Sequence, residues 1–276
     1  MINLLMHEIK SRWTVILGWG FSLIIFGAVY ISIFPGMFEQ MTAFKDLSIY
    51  KIVGMRLGSI EGYVASVVIT YIPILVGIYC IVASTSTLAG EEDNGTLELI
   101  VAMPLGRWQI LAAKAMALSV VVLTLMLIAA AGNVVLLEVI PFNTPVNITP
   151  FAFFLALISA LPLVISMIMI GFFLGAILPN RRIATIVLAV YFIASYFGEN
   201  IAGMVKSLEP IKYFSLFNYF DTTETIFTEG AKLSDILILL GIAAAFLILA
   251  LVFFSRRNIT TGAWPWQRGK ITDSTG

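Results

Sequence analysis

The chain has 276 residues, 60% of them hydrophobic and only 12% charged, with a mean hydropathy of +1.00. A water-soluble domain is nearer a quarter charged, so composition excludes a soluble enzyme and makes this a polytopic membrane protein. The 16 basic and 16 acidic residues cancel, which removes any broad basic surface for nucleic acid. One cysteine, Cys80, and one histidine, His7, exclude an intramolecular disulfide framework and any multi-cysteine or two-histidine metal motif.

In chain order, Met1–Trp13 is amphipathic. Ile2, Leu5, Met6, Ile9 and Trp13 recur at helical spacing, with His7, Glu8, Lys10 and Arg12 on the polar side. This pattern predicts a helix lying in the membrane interface, with Trp13 at headgroup level. A helical span needs about 20 mostly apolar residues, and the runs of low charge predict six, over residues 14–34, 63–84, 114–137, 151–178, 183–201 and 234–254. The first run is too long for the core of a secretion signal and no A-x-A-like cleavage site follows it, so a retained span is expected.

The outer segment 35–61 shows no chemical role. Pro73 and Pro162 interrupt the backbone ladder of the second and fourth spans. Pro141, Pro145 and Pro150 mark the loop before the fourth span, and Gly171-x-x-x-Gly175 offers a small-residue packing face. The segment 201–232 concentrates Tyr213, Phe214, Phe217, Tyr219 and Phe220, which fits an aromatic belt at headgroup level. Beyond the last span, residues 256–276 form a tail that is basic near the membrane and carries Trp264 and Trp266.

The middles of the six predicted spans hold no Asp, Glu, Lys, Arg or His; Glu138 and Glu199 fall at outer ends. Ion-coupled carriers need buried charge to bind the coupling ion, and catalysis needs clustered acid, base or nucleophile groups. Both classes are disfavoured. Sidedness follows from basic residues. With both termini cytoplasmic, the inner segments hold Lys10, Arg12, Arg107, Lys114, Arg181, Arg182, Arg256, Arg257, Arg268 and Lys270, against Lys45, Lys51, Arg56, Lys206, Lys212 and Lys232 outside.

The cytoplasmic segment between the second and third spans is the most informative. Glu91-Glu92-Asp93 precede an Asn94-Gly95 turn signal. A short helix is predicted over 96–102, with Glu98 in its first turn, where the helix dipole favours an acid. Pro104-Leu105-Gly106 ends it, and Arg107-Trp108 opens the next helix. Leu97, Leu99, Ile100 and Val101 need an apolar partner, either the underside of the bundle or another protein.

The run Glu91-Glu92-x-x-Gly95-Thr96-Leu97-Glu98, followed by Pro104-x-x-Arg107 and Lys114, resembles the segment after the second span in ABC exporter permeases of the second type. The resemblance extends over nearly the whole chain. It implies an all-α integral membrane fold: a six-transmembrane-helix bundle over residues 1–255, an amphipathic N-terminal helix, a cytoplasmic coupling helix, and re-entrant outer helices before the last span. It also implies that Glu91, Glu92, Gly95, Thr96, Leu97, Glu98, Ile100, Pro104 and Arg107 dock on a separate P-loop ATPase, Glu98 pairing with that partner or with Arg107. Tyr213, Phe214, Phe217, Tyr219 and Phe220 would cap the outer exit. Two permease copies, identical or related, would form the path through the plasma membrane lipid. The chain has no G-x-x-x-x-G-K-[ST] loop, since Gly269-Lys270 is followed by Ile271; ATP and magnesium are therefore expected on the partner and no cofactor on this chain. The uncharged spans suit a hydrophobic or amphipathic substrate such as a drug, antibiotic, peptide or lipid-like molecule. A polytopic membrane enzyme or assembly factor without an ATPase partner is the alternative.

Overall fold

The computed structural model describes residues 2–43, 59–87, 106–141, 146–178 and 180–256, leaving aside the side chains of 34–43, 203, 204 and 206–208. Among the described residues the secondary structure is entirely helical. The elements are α1 (Ile2–Ser11), α2 (Trp13–Ala43), α3 (Ile60–Thr85), α4 (Arg107–Val139), α5 (Pro150–Ile158), α6 (Leu161–Ile177), α7 (Arg181–Met204) and α8 (Leu233–Arg256). Six helices are long and apolar enough to cross a membrane, α5 and α6 together making one of them. α4 begins seven residues before the predicted 114, at Arg107, and α2 runs on to Ala43, nine residues past the predicted 34.

Local chemistry sets the helix starts. Ser59 Oγ accepts the Gly62 N–H (2.9 Å), Thr149 Oγ1 accepts that of Ala152 (3.2 Å), and Asn180 Oδ1 accepts that of Arg182 (2.7 Å). Each occupies an N–H that the first turn cannot satisfy. Pro150 then takes the first position of α5, where a missing N–H costs nothing.

The two prolines inside predicted spans act differently. Pro162 is the second residue of α6, and the chain breaks between α5 and α6 at Ser159–Ala160. Pro73 stays inside α3, whose preceding residues Ala65–Ile69 widen into a π turn. Proline cannot return a bond to the carbonyl four residues back, and a π turn is one way a helix absorbs such irregularity. Thr70 Oγ1 donates to Ala65 O (3.1 Å) within that widened stretch.

α6 is the hub, packed against α8, α3, α4 and α7. Ser166 Oγ lies 2.7 Å from Leu239 O, tying α6 to α8 inside the bundle. α2 packs along α4. A Cβ on Gly27 would overlap Asn133 Oδ1, so glycine is what lets the Asn133 side chain press against the α2 backbone. Asn133 is fully buried and donates to Ala129 O (2.8 Å) and Leu23 O (3.4 Å). α3 and α5–α6 are the most enclosed elements. α2, α7 and α8 keep wide apolar faces, such as Leu17, Phe21, Ile25 and Val29 on α2.

Candidate functional site

Three features stand out in the bundle: an ionic joint, an apolar slot and an aromatic lid. The joint involves α1. Along α1 and the turn into α2, one side meets the bundle. Leu4, Leu5, Glu8, Ile9 and Arg12 are half-buried, whereas Ile2, Met6 and Trp13 are exposed. Glu8 turns inward because Lys114 waits there. Lys114 Nζ lies 2.6 Å from Glu8 Oε1, and the Lys114 side chain is 0% exposed. The early start of α4 is the reason: Lys114 sits two turns inside the helix rather than at its mouth.

Arg12 completes the joint. Its Nη2 approaches Glu8 Oε2 (3.8 Å) and donates to Thr87 Oγ1 (3.3 Å), while Nη1 donates to Tyr79 OH (3.3 Å). Tyr79 belongs to α3, Thr87 lies just past its end, and Lys114 belongs to α4. The stretch from Glu8 on α1 to Arg12, in the turn between α1 and α2, therefore bridges the two helices that flank residues 88–105. Glu91, Glu92, Gly95, Thr96, Leu97, Glu98, Ile100 and Pro104 lie outside the described residues. Arg107 is the first residue of α4 and is half-buried.

The slot lies between α3 and α7. It is a cavity of about 410 Å³ lined by Tyr71, Ile74, Ile78 and Val82 from α3 and by Thr185, Ala189, Ile193 and Tyr196 from α7, among others. Its few polar groups are engaged with one another. Thr185 Oγ1 donates to Arg181 O (2.9 Å) and lies 2.8 Å from Thr85 Oγ1. Midway, Phe192 enters the notch left by Gly77, where a Cβ would come within 2.6 Å of Phe192 Cζ.

Above the slot, residues 206–227 form three short 3-10 turns, Lys206–Phe214, Leu216–Tyr219 and Glu224–Phe227, in place of full helices. The second is sewn to α7. Ser215 Oγ donates to Ser195 O (2.8 Å), and Ser195 Oγ accepts the Leu216 N–H (2.9 Å). Phe217 then packs at an angle against both Phe192 (5.4 Å) and Tyr196 (5.3 Å), two residues of the slot's wall. The third turn reaches α3 through Ser59 Oγ, which donates to Glu224 Oε2 (2.6 Å).

The five aromatics predicted as one cap separate here. Phe217 and Phe220 are buried at 3% and 5% exposure and Tyr219 is half-buried, whereas Tyr213 and Phe214 are exposed. Sequence reasoning missed the slot, because its lining has the same apolar character as a lipid-facing stripe. The Glu8–Lys114 pair was legible only as two interfacial charges.

The model of the ABC-2 family transporter proteins matches residues 2–259. The chain belongs to the ABC-2 transporter family. No curated protein matches it. Membership makes this ABC-2 chain a multi-pass permease of an ABC transporter, a transport subunit of a system in which an ATPase generally takes part. The joint, the slot and the lid are then features of a translocating domain.

Proposed function

We propose that this chain is the permease of an ATP-driven exporter in the plasma membrane. It works as a pair of copies, identical or related, with a separate P-loop ATPase that holds ATP and magnesium. The observation that carries the reading is the Glu8–Lys114–Arg12 joint within a chain that matches the ABC-2 family almost throughout. A partner pressing on residues 88–105 would move the end of α3 and the start of α4. The stretch Glu8–Arg12 is bound to both, so the displacement passes through the α1–α2 junction rather than dissipating in a loop.

Glu91, Glu92, Gly95, Thr96, Leu97, Glu98, Ile100, Pro104 and Arg107 form the docking knob in this proposal, and both termini face the cytoplasm. Phe217 and Phe220 plug the outer end, and Tyr213, Phe214 and Tyr219 rim it. The substrate is hydrophobic or amphipathic, since the slot offers it no fixed charge.

The deciding experiment is gentle purification of the tagged chain from its native membrane, followed by reconstitution. Capture of a P-loop ATPase whose hydrolysis drives export of an apolar dye supports the reading. A chain that purifies alone and neither stimulates an ATPase nor moves the dye overturns it, leaving the membrane assembly factor.

A further inference from the structure

We propose that the first turn of α3, Ile60–Val64, is a clasp on the outer lid, and that it frees the lid by pivoting on the π turn Ala65–Ile69. The lid is held unequally at its two ends. At α7 it is fixed by buried groups. Ser215 Oγ donates to Ser195 O (2.8 Å), Ser195 Oγ accepts the Leu216 N–H (2.9 Å), and both serines are buried. Parting this end would give up hydrogen bonds made away from water, together with the packing of Phe217 against Phe192 and Tyr196.

At α3 the fastening is of another kind. Ser59, which caps Ile60–Val64, donates to Glu224 Oε2 (2.6 Å) on the third turn of the lid. Glu61 Oε1 accepts the Asn147 N–H (2.9 Å) from the stretch before α5. That stretch and the lid belong together, since Phe227 of the third turn lies 6.2 Å from Phe153 of α5. Glu224 and Asn147 are exposed. Water can replace both contacts as they part, so the net cost of parting them is small. The lid therefore gives way first at α3.

A pivot lies directly below the clasp. Pro73 has no N–H to return to Ile69 O, and Ala65–Ile69 is wound as a π turn. A helix that loosens inside a membrane must not orphan its carbonyls. Two buried hydroxyls guard against that here: Ser66 Oγ donates to Gly62 O (2.6 Å), and Thr70 Oγ1 to Ala65 O (3.1 Å). The backbone can shift between α and π spacing while these carbonyls keep a donor. Water-accessible contacts above such a pivot suit the outer end of a translocating domain, which has to open and reclose.

The test uses the purified chain in lipid nanodiscs, in a Cys80→Ala background, with one cysteine at a time and a membrane-impermeant maleimide. Ile60 and Leu216 are 5% and 2% exposed, so labelling of Ile60→Cys reports opening at α3 and labelling of Leu216→Cys reports opening at α7. Glu224→Ala is expected to speed labelling of Ile60→Cys about tenfold, as loss of a hydrogen bond to a charged group predicts. Leu216→Cys should keep its parent rate. Glu224→Gln retains an acceptor for Ser59 and should fall between. Pro73→Ala supplies a donor for Ile69 O and should slow labelling of Ile60→Cys about threefold. The parent's melting temperature is the check on folding throughout.

An unaltered Ile60→Cys rate in Glu224→Ala overturns the clasp. An equal rise at Leu216→Cys also overturns it, since the lid then leaves as one piece. Pro73→Ala at the parent rate overturns the pivot. No nucleotide or ATPase enters the measurement, so the exporter reading neither carries this proposal nor falls with it.

Discussion

The Glu8 carboxylate lies 2.6 Å from an ammonium, that of Lys114, whose side chain is wholly enclosed by the bundle. A charge taken out of water is tolerated only when it is paired, so this contact fixes where α1 must sit. Glu8→Ala removes the anion and leaves the buried cation, a change that typically costs about 3–5 kcal/mol. A clear fall in melting temperature is expected in detergent. Glu8→Leu with Lys114→Met removes both charges and should melt well above Glu8→Ala, since an apolar pair of similar volume is often neutral. If the single variant melts like wild type, the contact contributes no stability.

The α2–α4 seam gives a second, steric prediction. Gly27→Val puts side-chain atoms where Asn133 Oδ1 now lies, and overpacking of this kind costs about 1–3 kcal/mol. Shortening the obstacle should repair it, so Gly27→Val with Asn133→Ala should melt above Gly27→Val alone. A double variant less stable than either single change would show that the Asn133 hydrogen bonds to Leu23 and Ala129, rather than its fit against Gly27, hold the seam.

The six spans were legible because low charge over about 20 residues has one physical meaning. What could not be read was facing. Glu8 belongs to the polar side of α1 by pattern, yet its partner lies 106 residues away in sequence, and no periodicity encodes that distance. The slot was hidden by uniformity. Ile78 and Ile193 look the same whether they meet lipid or a cavity, because in a membrane both surroundings are apolar. The aromatic segment was found as a group but not sorted, since Phe214 and Phe217 differ in the structure only through the Ser195–Ser215 contacts that turn one outward and the other in.

Those contacts make the lid testable. Phe217 is 3% exposed and stacks on two aromatic rings of α7. Phe217→Ala should therefore destabilise by about 3–5 kcal/mol and impair export in reconstituted vesicles. Phe214 is 81% exposed, and Phe214→Ala should leave the melting temperature near wild type. Equal effects of the two variants on melting would contradict the inward and outward sorting.

Sidedness is checked with single cysteines. Cys80 is fully buried, so Cys80→Ala should be a silent background for labelling. A cysteine at position 94 is expected to react with a membrane-impermeant maleimide only after cells are opened. A cysteine at 213, where Tyr213 is exposed, should react in intact cells. The reverse pattern would invert the orientation inferred from the basic residues.

The last prediction concerns how force enters the membrane domain. Residues 88–105 connect the end of α3 to the start of α4, and both ends are fastened to the stretch Glu8–Arg12 through Arg12–Thr87 and Glu8–Lys114. If an ATPase docks on this connection, charge reversal at Glu98 opposes docking, because a like or unpaired charge at an interface can cost several kcal/mol. Ile100→Asp should act through the apolar side of the helix that the sequence predicts over 96–102. In one reconstituted preparation, Glu98→Lys is expected to lower ATP-driven export at least tenfold, while binding of an apolar dye to the bundle changes less than twofold. Arg12→Gln leaves the knob itself intact and loosens only its fastening to Tyr79 and Thr87. It should preserve ATPase capture yet reduce the export obtained per ATP hydrolysed. That split would separate docking, assigned in this proposal to Glu98, from transmission to α3, assigned to Arg12. Wild-type export by Glu98→Lys and Ile100→Asp together would make residues 88–105 an ordinary solvated connection.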